Sequence, residues 1–112
     1  MHGVREELLE AQAAALDLPL TKIEIPAPCP HEVYAERMRA AMESARAQGI
    51  RHVIFGDLYL EGIREYRETQ LATVDMQAVF PLWGRDTSQL ARQMVREGVC
   101  ASLTCIDPKA LP

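Results

Sequence analysis

The stretch HVIFGDLYLEGIREYRE, His52 to Glu68, decides how this chain is read. Its apolar run, Val53-Ile54-Phe55, stops abruptly at Gly56-Asp57. A charged segment of helical character follows, carrying Glu61, Arg64, Arg67 and Glu68. The plain reading is a strand, a turn and a solvated helix. The sharper reading is the rim of a ligand site, because open parallel sheets bind ligands outside the carboxyl ends of their strands.

Working outward, helix and strand patterns alternate. VREELLEAQAAAL, Val4 to Leu16, has apolar residues at helical spacing. LTKIEI, Leu20 to Ile25, alternates apolar and polar as a strand does, and Pro26, Pro28 and Pro30 then impose an extended loop. The segment from Glu32 to Gly49 predicts a helix with Tyr34, Met38, Ala41, Met42 and Ala45 on one face and Gly49 as its stop. RHVIF is the second expected strand, and EGIREYRETQLATV a helix despite Gly62. QAVFPLW is the third strand. RDTSQLARQMVREG is a helix with Asp86 as cap, Gln89 three residues on, and Gly98 closing it. VCASLTCI, ending at Asp107-Pro108, is the fourth expected strand.

Four alternations with short connections predict an α/β fold: a parallel sheet with helices on both faces. Runs such as VIF and VCASLTCI suit strands buried on both sides. The pattern opens on a helix and closes on a strand, so the expectation is an incomplete α/β domain, or one completed by a partner at a bare sheet edge.

Composition narrows the class. The chain has 112 residues, 48% hydrophobic and 25% charged, enough for one domain with a small core. A net charge of −4 speaks against nucleic acid as partner. No apolar run approaches the ~20 residues that span a bilayer, so no membrane partner is expected. MHGVREELLE has no apolar signal core. Cys29, Cys100 and Cys105 are too few and too widely spaced for a disulfide framework or a zinc motif. The last two are expected as buried, inert thiols, and a reducing cytoplasm suits all three. His2, His31 and His52 have no metal spacing.

The expected strand ends are Pro26, Gly56-Asp57, Pro81-Leu82-Trp83 and Asp107-Pro108. Glycine at 56 lets backbone approach a ligand closely. Asp57 has the chemistry to accept from a ribose hydroxyl or an amine, or to help hold magnesium; its ordinary role would be to cap a turn or the following helix. Arg64 can pair with Glu68 or Glu61 as a surface ladder, or aim its planar fork at a phosphate or carboxylate. Trp83 either seals the core edge or stacks on a base. Tyr59 and Tyr66 read as packing residues, and His31 as a helix-start residue near the rim. The six glycines are scattered, so these residues contain no Gly-rich phosphate loop.

MHGVREELLEAQAAALDLPLTKIEIP, GDLYLEGIREYRE and VFPLWGRDTSQLARQMVREGVCASLTCID together resemble the middle of the diphthine–ammonia ligase family. These are PP-loop ATP pyrophosphatases with a Rossmann-like, adenine nucleotide α-hydrolase-like (HUP) fold. The resemblance implies ATP or AMP with magnesium as cofactor. It implies adenylation of an acceptor, release of pyrophosphate and attack by ammonia. The acceptor for this chain is unknown; in the eukaryotic and archaeal family it is diphthine. Gly56, Asp57, Glu61, Arg64, Glu68, Pro81, Leu82 and Trp83 are the implied nucleotide- or substrate-binding residues. The family's phosphate loop, Ser-Gly-Gly-Lys-Asp-Ser in type, is not among these residues, so the chain reads as the centre of such a ligase, with Met1 resembling an interior methionine. Two other readings stand beside it. One is a non-catalytic α/β module binding an adenosine-like ligand, a protein partner or a second copy through the sheet edge. The other, weaker, is a receiver-like domain using Asp57 and Asp107.

Overall fold

In the computed structural model, residues 4–103 and 105–109 are described. The element order is α1 (Glu6–Ala15), α2 (His31–Ala47), β1 (His52–Ile54), α3 (Glu61–Ala72), β2 (Gln77–Val79) and α4 (Thr87–Arg96). The chain divides into two compact units. One is Ile23–Gln93; the other comprises the described residues of Met1–Lys22 and Met94–Pro112.

The larger unit is built on one β–α–β crossover. β1 and β2 pair in parallel, with His52 opposite Gln77, Val53 opposite Ala78 and Ile54 opposite Val79. The ladder continues one step further, where Phe55 N–H donates to the Val79 carbonyl at 2.9 Å. Side chains alternate along each strand. Val53, Phe55, Ala78 and Phe80 point inward and are half-buried, whereas His52, Ile54, Gln77 and Val79 are exposed. The inward face meets Met42 and Ala45 of α2 around a core of Leu71, Val74 and Met76.

The four helices among the described residues end in the same way. Each is followed by a residue in the left-handed region: Asp17 (φ 52°), Gly49 (φ 91°), Asp75 (φ 56°) and Gly98 (φ 83°). The next amide then reaches back five residues, as Leu18 to Ala13, Ile50 to Ala45, Met76 to Leu71 and Val99 to Met94, at 3.0–3.1 Å. Glycine takes this conformation freely and aspartate tolerates it. After α3 the motif does more than stop a helix, because the two residues it joins, Leu71 and Met76, are 3% and 4% exposed and belong to the core. α4 starts as its sequence predicts: Asp86 Oδ1 accepts from Gln89 N–H at 2.7 Å.

Two expected strands do not form among the described residues; Thr104 of the second lies outside them. Residues 20–25 have the right alternation but make no backbone ladder; after Leu18, Lys22 reaches back to Glu6 and Glu10 of α1 instead. The Lys22 ammonium holds the Glu6 carboxyl below its ordinary value, by a hydrogen bond first and charge second. The described residues of 99–106 are likewise without strand structure, and Leu103 is 90% exposed. A strand exists only beside another backbone, and side-chain pattern does not supply that neighbour. The four-stranded sheet is therefore two-stranded among the described residues. Its strands are not buried on both sides either, since Ile54 is 71% exposed. Cys100 and Cys105 are exposed, contrary to the expectation of buried thiols, while Cys29 is half-buried. No helix among the described residues is long and apolar enough to cross a membrane.

Replacing Leu71 by Ala removes the centre of a small core, and chemical denaturation should show a loss of about 2–5 kcal/mol. A second expectation concerns acid. The Arg46 guanidinium donates to Asp75 at 2.8 Å and lowers the Asp75 carboxyl below its usual 3.8. A carboxyl lowered on folding contributes stability that is complete above its unfolded value and lost as pH falls through the folded one. Asp75→Asn should thus flatten part of the stability loss seen below about pH 4, measured as melting temperature against pH, with little change in slope above it.

Candidate functional site

The carboxyl ends of β1 and β2 lie side by side because the strands are parallel and in register. Each strand is followed by a phenylalanine, and the register sets these two next to one another. Phe55 and Phe80 stack with ring centroids 5.6 Å apart and an interplanar angle of 25°. Trp83 adds an edge-to-face contact to Phe80 at 5.9 Å. The turn Pro81 to Gly84 brings that indole back: Trp83 N–H donates to the Phe80 carbonyl at 3.2 Å. Gly84, at φ 71°, donates its N–H to the Leu58 carbonyl at 2.8 Å, which ties the two rim loops together.

α3 lays two arginines on this aromatic floor. Arg64 and Arg67 are one helical turn apart and so share a face. The Arg64 guanidinium carbon lies 5.0 Å from the Phe80 centroid and 4.8 Å from that of Trp83. The Arg67 guanidinium carbon is 4.3 Å above Phe55. All three distances fall within the range of cation–π attraction.

Their polar partners differ. Arg64 Nε donates to Glu68 Oε1 at 2.9 Å, with both side chains partly exposed. No hydrogen bond of its two terminal nitrogens is found among the described residues. Arg67 turns inward. Its Nε sits 2.6 Å from Asp57 Oδ2, and the two side chains are only 28% and 21% exposed. Both atoms are closed to solvent, and the N–H is not aimed along the line joining them. The contact is charge pairing more than a directed hydrogen bond.

Asp57 is therefore not a helix cap. Leu60 occupies the N-cap of α3, and no side chain caps it. Glu61 stands in the first turn of α3, where the helix dipole favours an acid; no ion pair joins it to Arg64 among the described residues. Pro81 is exposed, and Leu82 and Trp83 are half-buried. A Cβ at Gly56 would meet nothing within 4 Å, so crowding by the protein does not require glycine there. The structure thus brings Gly56, Asp57, Arg64, Glu68, Leu82 and Trp83 to one rim.

Other expected members fall elsewhere. Pro26 ends no strand, and Asp107 belongs to the smaller unit, where its carboxylate accepts from Lys109 N–H at 2.9 Å. His31 opens α2 and packs on Tyr66 at 5.7 Å. Tyr66 lines a cavity of about 40 Å³ with Tyr34, Met38, Met42 and Phe55, room for a water or two but not for a nucleotide. Tyr59 is 66% exposed and is not the packing residue expected. Broader polar hollows lined by Arg46, Asp75, Arg51 and Gln77 open at the amino ends of the strands, away from the rim.

Sequence reasoning gave no site role to three residues that shape the rim: Phe55, Phe80 and Arg67. A signal was present for the first two, since HVIF and QAVF both end in phenylalanine just before their turns. Arg67 is ten residues from Asp57, and only the path of the turn brings them together.

Among the described residues no group of three or more His, Cys, Asp or Glu could hold a metal ion. No protein-family model, curated protein or solved structure matches the chain.

Gly56→Ala tests whether anything approaches the rim. The empty space at the Cβ position predicts a melting temperature within a few degrees of the parent. Weaker binding of a rim ligand by that folded variant, read by calorimetry, would report the ligand's closeness to residue 56.

Proposed function

We propose that the rim at the carboxyl ends of β1 and β2 binds a small ligand carrying both an anionic group and a hydroxyl or amine, with adenine nucleotides as the best-fitting class. The observation that carries this reading is the pairing of opposite chemistries on one edge. Arg64 is held over Phe80 and Trp83, and its terminal nitrogens are without a hydrogen-bonding partner among the described residues. Such a fork matches a phosphate or carboxylate. Asp57, at the end of the neighbouring strand, supplies an acceptor.

The resemblance to the diphthine–ammonia ligase family supports a more specific assignment. On that reading the rim belongs to the nucleotide or acceptor side of an ATP-dependent amide-forming ligase. Adenylation places AMP on an acceptor oxygen, pyrophosphate leaves, and ammonia displaces AMP. Glu68 then orients Arg64, and Trp83 offers a ring edge to the ligand. The glycines of this sequence are scattered and make no Gly-rich phosphate motif, so AMP or an adenylate suits these residues better than ATP.

A second reading is favoured by a different observation. Ile54 and Val79 expose an apolar sheet face, beside strand edges that pair with no further strand among the described residues. That supports a non-catalytic module docking a protein partner or a second copy through the sheet.

Titration calorimetry with AMP, and with ATP plus magnesium, decides between them. The nucleotide reading expects AMP binding that falls about tenfold or more in Arg64→Ala, by loss of a charge-assisted hydrogen bond. A parent chain that binds neither nucleotide removes it, and unchanged affinity in a folded Arg64→Ala returns that residue to a surface ion pair.

A further inference from the structure

The two arginines of α3 have divided their work, and the division identifies a positioning residue. Arg64 faces outward, with an exposed carboxylate as its partner. Arg67 is clamped between the Phe55 ring and the Asp57 carboxylate. Of the Asp57 carboxylate, Oδ2 is closed to solvent against Arg67 Nε, yet the side chain keeps 21% of its surface exposed. The exposed part lies on the remaining atoms, Oδ1 among them, and no hydrogen bond of Oδ1 is found among the described residues. A lone carboxylate on a loop rotates freely about its side-chain bonds. One oxygen held by a guanidinium, itself fixed on an aromatic ring, stops that rotation and presents the other oxygen in one direction.

From this we infer that Arg67 is a positioning residue for Asp57: by holding Oδ2 it directs Oδ1 to accept a hydrogen bond from a ribose hydroxyl of the bound nucleotide. The inference rests on the nucleotide reading above and adds to it the source of ribose recognition. Arg67 itself touches no ligand in this arrangement. Its substitution should act on discrimination between sugars more than on affinity for phosphate, which is the task of Arg64.

The test compares AMP with 2′,3′-dideoxy-AMP by calorimetry. The parent chain is expected to prefer AMP about tenfold, as a hydroxyl donating to a charged acceptor does. Asp57→Asn and Arg67→Met should each bring that ratio close to one, with the melting transition retained. Arg67→Lys, which keeps the charge and the aliphatic stem but lacks the planar fork, should recover part of it. A general structural defect would instead lower affinity for both nucleotides alike and leave the ratio unmoved. If the parent binds AMP and a folded Arg67→Met keeps the full preference, Arg67 does not position Asp57, while the nucleotide reading stands. A parent with no preference overturns the ribose assignment in the same way. If the parent binds neither nucleotide, both readings fall together. Should Arg67→Met not fold, Arg67→Gln takes its place with the same expected ratio. If neither folds, Arg67 serves the fold rather than the carboxylate, and the inference is overturned.

Discussion

The larger unit turns on the meeting of Phe55 and Phe80 beneath two arginines of α3. Parallel register makes these rings neighbours, and the i, i+3 spacing of Arg64 and Arg67 lets one helix cover both. Sheet pairing, helix docking and rim chemistry are therefore one arrangement. Slipping β2 by a single residue would send Phe80 to the opposite face of the sheet. Arg64 would lose its ring, and Trp83 would leave with the turn that carries it.

The core just behind this floor is small, and its main residues come from a chain reversal. Leu71, Val74 and Met76 lie within six residues, folded together by the turn at Asp75. α2 closes over them with Met42 and Ala45. Arg46 of the same helix reaches Asp75 itself. The segment that delivers β2 to β1 is thus fastened by packing on its inner side and by charge on its outer side. The far ends of the strands, where the rim is built, are fastened instead by aromatic stacking and by the Arg67–Asp57 pair.

Much of this was legible in the residues. Abrupt apolar endings marked the carboxyl ends of β1 and β2, and Asp86, Gln89, Gly49 and Gly98 marked helix boundaries because capping is local chemistry. The strands expected at 20–25 and 99–106 misled for a physical reason. Alternation tells which way side chains would face, not whether another backbone lies alongside. The same limit hid Arg67. Read along α3 it was one more charge on a helix, and its partner Asp57 lies across a turn whose course no local preference dictates. Cys100 and Cys105 were assigned to a buried strand on the strength of the run around them, and without that strand they are exposed.

The hydrogen bond from Gly84 N–H to the Leu58 carbonyl has a mechanical consequence. It is a 2.8 Å tether between the segment after Asp57 and the turn bearing Trp83, so a shift of either segment draws on that bond. The spacing of the two loops that frame the rim is thereby set by backbone as well as by side chains.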